Sequence, residues 1–202
     1  MSRTNTSHQT TSLRLRPEDW LNPMPLDVMF PGTGPLEVDL GCGKGRFLLA
    51  RAAAYPEVRF LGIDRMLKRI RKIDNKAQRR RLANIRLLRM EGYYAVSYLL
   101  PADTISTYYI FFPDPWPKKR HHENRIFNPR FVDAVHRTLK TGGELHIATD
   151  HLPYFDDIAS ILRADARFRE ITPFIPSAEE RTDFELWYLD KKPIGRCSFT
   201  KA

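Results

Sequence analysis

From Leu36 onward the chain alternates short apolar runs with amphipathic stretches, separated by turn-forming residues. Five runs predict strands, at 36–40, 59–63, 85–90, 105–112 and 144–149. Between them, 46–55 is rich in Ala and Leu and stops before Pro56, while Met66, Ile70, Ile73 and Ala77 recur on one face of a second helix. Asn128 followed by Pro129 combines a capping side chain with proline at the first helical position. A helix therefore opens there, with Phe131, Val132, Val135 and Leu139 inward and Thr141-Gly142-Gly143 as its stop. The stretch 152–164 is helical again, and beyond Phe168 the pattern predicts short strands at 170–174, 185–190 and 196–200. Together these predict an α/β fold, a Rossmann-like doubly wound sheet. It is mostly parallel, with a C-terminal antiparallel strand and helices on both faces.

The 202 residues suffice for one core. The aperiodic, Ser/Thr-rich stretch 1–19 is expected to be flexible, and 20–202 to form a single domain. No apolar run approaches the roughly 18 residues of a membrane span, and residues 1–11 lack the apolar core of a signal peptide. A cytoplasmic protein is expected. Cys42 and Cys197 are the only cysteines and His121 and His122 are adjacent, so neither a disulfide framework nor a metal site is predicted. Charge changes the picture more. Residues 65–81 hold nine basic side chains against Asp74 alone, a net +8 of the chain's formal +9. An almost acid-free basic helix points to a polyanionic partner such as RNA, although a solvated face is the ordinary alternative.

The first strand runs directly into Gly41-x-Gly43-x-Gly45 and then a helix, so backbone can approach a ligand where a Cβ would clash. The next strand ends at Asp64, where a carboxylate can accept both hydroxyls of a ribose. A pyrophosphate calls for G-x-G-x-x-G, and here the third glycine comes one residue early. The loop resembles the first motif of Rossmann-like S-adenosylmethionine methyltransferases, which implies that Asp39 faces the methionine end of the cofactor. Glu91, after the third strand, would meet the adenosine, or is an ordinary turn residue.

The fourth strand ends in Phe111-Phe112-Pro113-Asp114-Pro115-Trp116-Pro117-Lys118-Lys119-Arg120-His121-His122, an acid and an indole held among prolines and followed by basic residues. With Ala148-Thr149-Asp150 and Thr182-Asp183-Phe184-Glu185, this run closely resembles the bacterial tRNA (guanine-N7-)-methyltransferases from about residue 36 to 201. The resemblance implies methyl transfer from S-adenosylmethionine to guanine-N7 at position 46 in the variable loop of tRNA. It marks Asp114 as catalytic and cofactor-binding, Asp39, Gly41, Gly43, Gly45, Asp64 and Glu91 as cofactor-binding, and Lys118, Asp150, Thr182 and Glu185 as substrate-binding. By their bland readings Asp150 is a helix cap and Glu185 an exposed strand acid. The expected partner is tRNA, with no membrane and no metal, for a monomer or homodimer. Guanine-N7 carries an in-plane lone pair and no proton, so in-line displacement needs alignment rather than a general base.

Three rivals differ in class. An amino-group methyltransferase acting on adenine uses an acid-Pro-Pro-aromatic loop similar to Asp114-Pro115-Trp116. An RNA-binding module without activity fits the basic helix but not the retained loop acids. A nicotinamide dehydrogenase would use Tyr188-x-x-x-Lys192, yet that pair must share a helix face and 184–189 reads as strand.

Overall fold

The protein, seen in a computed structural model, is described over residues 12–188 and 191–202. The expected flexible N-terminus falls largely on residues 1–11, which lie outside the described residues, as do Leu189 and Asp190 of the expected strand at 185–190. The chain runs through β1 (Arg14–Leu15), α1 (Leu26–Met29), β2 (Leu36–Leu40), α2 (Arg46–Ala54), β3 (Arg59–Ile63), α3 (Leu67–Arg79) and β4 (Ile85–Leu88). It continues through α4 (Gly92–Tyr94), which passes into a π-helical turn at Ala95–Leu99, then β5 (Ile105–Phe111), α5 (Pro129–Thr138) and β6 (Leu139–Thr149). It closes with α6 (Leu152–Arg163), β7 (Phe168–Ile171), α7 (Asp183–Tyr188) and β8 (Gly195–Lys201).

Alternation along each strand decides which face it feeds. In β2, Leu36, Val38 and Leu40 enter one buried cluster, joined by Leu61 and Ile63 of β3 and Leu88 of β4. Phe60, Ile85 and Leu87 point to the other face and enter a second cluster. A sheet apolar on both faces must be covered on both. Helices α2 and α3 cover the second face with Leu48, Leu49, Ile70, Ile73 and Ala77. The π-helical turn, α5 and α6 cover the first, through Leu99, Phe131, Val135 and Ile158 among others.

The eight strands lie in the order β1-β4-β3-β2-β5-β6-β8-β7. Pairs from β1 to β6 are parallel, and β8 runs antiparallel to both β6 and β7. This is the expected Rossmann-like sheet with its antiparallel C-terminal edge.

Four local expectations need correction. Thr141-Gly142-Gly143 does not cap α5, which ends at Thr138; these residues lie within β6. Ile105 pairs with Leu139 and Thr107 with Glu144, so the segment bulges. A Cβ on Gly143 would stand 3.0 Å from the Ser106 carbonyl oxygen of the neighbouring strand, a close approach that glycine permits. Met66 caps α3 and is exposed, outside its buried face. The strand expected at 170–174 forms earlier, as β7. The strand expected at 185–190 is instead a helix, α7. Its Thr182 hydroxyl accepts the Glu185 N–H at 2.9 Å, an N-cap contact that a strand does not make. Tyr188 therefore does lie on a helix, and Lys192 Nζ stands 4.7 Å from its ring centroid. Lys192 lies beyond the end of α7, so the pair shares no helix face, and the dehydrogenase reading fails on that ground as well as on glycine spacing.

Candidate active site

In an open parallel sheet the ligand crevice forms beyond the carboxyl ends of the strands, where sheet growth switches direction. Strands β2, β3 and β4 build toward one edge and β5 returns to the other side of β2. A cavity of about 370 Å³ opens at that point, walled by the residues following these strands, among them Gly41, Asp64, Glu91 and Asp114. Four of the expected site residues thus share one wall.

The glycine loop is held open by backbone conformation. Gly41 has φ +82°, and a Cβ built on it would meet no protein atom within 4 Å, so that face of the loop is free for a ligand. Gly45 has φ +75° for a different reason as well: a Cβ there would stand 2.6 Å from Ile73 Cγ1 on α3. The amide of Gly43 faces inward and donates to Asp64 Oδ2 at 3.1 Å.

Asp64 is buried and already shared. Its carboxylate also accepts the Met66 amide at 2.7 Å and Arg69 Nη1 at 3.1 Å. Asp39 is equally buried and is not among the residues that wall the cavity, and burial with the neighbouring Asp64 charge pushes its carboxyl up to about 8. The same burial, reinforced by Asp39 and Asp64, holds the Cys42 thiol well above its ordinary value. Glu91 is the N-cap of α4, each oxygen accepting one amide, from Tyr93 and Tyr94, both at 2.8 Å. It is cap and cavity wall together.

Asp114 stands exposed on the loop after β5, between two left-handed non-glycine residues, Phe112 at φ +53° and Trp116 at φ +43°. Such conformations cost on the order of 1–3 kcal/mol each and persist where the surroundings enforce them. The enforcement is visible. The Phe112 amide donates to the Ala148 carbonyl at 2.7 Å, and buried Arg125 donates to the Pro115 carbonyl at 2.8 Å. Arg125 is itself fixed by Asp157 at 2.6 Å and by the Tyr154 ring, 4.5 Å from its guanidinium carbon.

The remaining expected residues gather beside this loop, off the cavity wall. Asp150, just beyond β6, accepts from Lys192 Nζ at 3.3 Å; the cap of α6 is His151, whose Nδ1 accepts the Tyr154 amide. Thr182 caps α7, and Glu185 on its first turn is 2% exposed and paired with Arg196. Glu185 is therefore no exposed strand acid. Among the described residues its Oε2 and the Arg196 Nη1 lack partners. Phe112 and Phe184 bring the two groups together, ring centroids 4.7 Å apart, and Arg46 of α2 donates to the Arg181 carbonyl at 2.9 Å. Lys118 is exposed at the start of a 3-10 turn, Lys119–Asn124.

Arg69, Arg125 and Phe184 were not among the expected site residues. No short-range pattern marks them, because their partners lie on other elements. Among the described residues no cluster of His, Cys, Asp and Glu could hold a metal ion, and no helix is long and apolar enough to cross a membrane.

The fold is shared with solved methyltransferases: the 16S rRNA methyltransferase KamB superposes with TM-score 0.67 at 14% identity, covering 88% of this chain and 92% of that one. The antibiotic-resistance methyltransferase Kmr gives 0.60 at 20% identity, covering 87% and 91%. The family model described as "Putative methyltransferase" matches residues 33–184. The tRNA (guanine-N(7)-)-methyltransferase of Chromohalobacter salexigens is 35% identical over 79% of this chain and 68% of its own length. That of Halorhodospira halophila is 38% identical over 79% and 71%. The strand-end cavity, its glycine loop and the strained Asp114 loop thus occur in a chain that belongs to the tRNA (guanine-N(7)-)-methyltransferase family of S-adenosylmethionine-dependent enzymes.

Proposed function

We propose that the chain methylates guanine-N7 at position 46 in the variable loop of tRNA, in the cytoplasm. The observation that carries this is the convergence of the strained Asp114 loop with the glycine loop and Asp64 on one cavity. The residues fit the methyl donor. Gly41 leaves open a cradle that a Cβ would fill, Asp64 offers acceptors for ribose hydroxyls, and buried Asp39 offers a carboxylate for an ammonium.

When bound, S-adenosylmethionine would supply an electrophilic methyl group on sulfonium, a leaving group that needs no protonation, to the N7 lone pair. No proton moves, so no residue serves as general base. Asp114 places a carboxylate where the guanine ring becomes positive, which stabilises the transition state more than the neutral ground state. The prolines around it and the Arg125 contact to Pro115 hold it there before substrate arrives. Asp39, Asp64 and Glu91 hold the donor, Glu91 through the acceptor capacity its two amide bonds leave free. Lys118, Asp150, Thr182 and Glu185 present guanine. The buried, donorless Oε2 of Glu185 is the acceptor that a guanine N–H would satisfy.

Purified protein, labelled S-adenosylmethionine and unmodified tRNA test this. The label is expected on tRNA, with aniline cleavage at one variable-loop guanosine. Label on adenine or on protein sinks the proposal. Asp114→Ala is expected to abolish turnover while calorimetry still detects cofactor binding, and turnover at the wild-type rate removes Asp114 from the mechanism.

A further inference from the structure

The β1 edge of the sheet carries a second cleft, about 360 Å³ in volume, that methyl transfer does not use. It lies between the segment 14–20 and the first turns of α3, floored by Leu67 and Ile70. Arg14, Arg16, Arg71, Arg89 and Trp20 line it, and no acid does. Arg14 is already neutralised, its Nε 3.0 Å from the buried Asp74 carboxylate. Arg89 Nε meets only the Arg65 carbonyl, at 3.4 Å, and Arg16 and Arg71 are exposed. Three arginines thus line one cleft with no acidic side chain paired to them among the described residues.

Trp20 is 51% exposed, yet its backbone is fixed. Its carbonyl accepts the Tyr94 hydroxyl at 2.6 Å, and Asp19 accepts the Leu21 amide at 2.7 Å. An indole presented from an ordered turn beside free guanidinium groups is the composition of a nucleotide site: forks for a phosphate, a flat face for a base.

Its position points to the same occupant. Arg65 and Arg69 wall the first cavity, and Arg71 the second; Met90 and Glu91 wall the first, and Arg89 the second. The two clefts are separated only by the start of α3 and the end of β4. A strand whose target base enters the first cavity reaches the second within a short length of its own backbone.

We propose that this cleft is a second nucleotide subsite for tRNA, in which Arg16, Arg71 and Arg89 neutralise a phosphate and Trp20 stacks on a base; it rests on tRNA being the substrate. Exposing a guanine for N7 attack unstacks its neighbours, and an aromatic platform beside the active cavity offsets that loss.

The test measures tRNA affinity against salt concentration for the wild type, Trp20→Ala, Trp20→Phe and the double variant Arg16→Ala with Arg71→Ala. Thermal midpoints and cofactor affinity confirm that each variant is folded. Trp20→Ala is expected to weaken tRNA binding roughly tenfold, with Trp20→Phe recovering most of it. The arginine pair is expected to flatten the salt slope by about two. Unchanged affinity and slope in Trp20→Ala and the arginine pair overturn the subsite, and equal losses in Trp20→Ala and Trp20→Phe overturn the stacking. A wild-type protein that binds and methylates no tRNA removes the proposed function instead, a result distinguishable from normal methylation by unaffected variants.

Discussion

Asp39 illustrates what one residue does to the site electrostatically. Its carboxyl, held up to about 8 against an ordinary 3.8, is protonated in the folded protein where the unfolded chain has already ionised it. Its contribution to stability is therefore complete below about pH 3.8 and is lost as pH rises through about 8. A ligand ammonium reverses the preference by favouring the carboxylate, so binding releases a proton wherever the free protein still holds one. Affinity for S-adenosylmethionine is accordingly expected to rise between about pH 6 and pH 8 and then level off, and Asp39→Asn to flatten that rise. Calorimetry in buffers of different ionisation enthalpy counts the proton directly. No release below pH 8 would take Asp39 away from the ammonium. Asp64 was legible from its place just after β3, and Asp39, two residues before Gly41, from the resemblance of the glycine loop to that of methyltransferases. Arg69, which binds Asp64 at 3.1 Å, was not, because which carboxylate a long guanidinium reaches is settled by tertiary packing.

Among the elements, α7 shows where periodicity misleads. Residues 184–189 contain closely spaced apolar and aromatic side chains and read as strand, yet they follow Thr182, and Glu185 stands three positions later. Thr-x-x-Glu is also the pattern of a capping box, and here the first half of it forms while Glu185 turns to Arg196 instead. The capping signal was present in the sequence and a local hydrogen bond outweighed the alternation. β2 and β3 were legible to the residue because both are short buried runs bounded by turn-forming residues, β2 alternating Leu36, Val38 and Leu40 with Glu37 and Asp39 before Gly41, and β3 running from Arg59 to Ile63. The cap has a measurable consequence. Thr182→Ala is expected to destabilise the protein by about 1 kcal/mol, lowering the midpoint by roughly 2–4 °C, and to reduce turnover by loosening the helix that carries Glu185. Thr182→Ser keeps the acceptor and is expected to restore both. A thermal midpoint unchanged in Thr182→Ala would show that the cap does not hold α7.

For the molecule as a whole, the excess positive charge is concentrated on α3 and the turn that ends it. The buried face of that helix is Ile70, Ile73, Asp74 and Ala77, which leaves the basic side chains on the solvent face, as the spacing predicted. Its C-terminus adds a fact that spacing could not. Leu82 donates to the Ala77 carbonyl at 3.0 Å and Arg81 to Gln78 at 3.0 Å, a Schellman closure in which Arg81 takes the left-handed position at φ +56°. Glycine belongs there, and a side chain costs about 1 kcal/mol. A third consecutive arginine thus stands at a position where glycine would relieve the strain. At about 1.5 Å per residue, this end of α3 is remote from the active cavity at its start, so its charges can act on tRNA binding without touching the transfer step. The combination Arg79→Gln, Arg80→Gln and Arg81→Gly removes three charges and relieves the left-handed strain. It is expected to keep or raise the thermal midpoint, raise KM for tRNA, leave kcat intact, and flatten the salt dependence of binding by about three. A salt slope equal to the wild type's, with the same KM, would make this end of α3 a solvated surface and leave the arginine at the glycine position without a function.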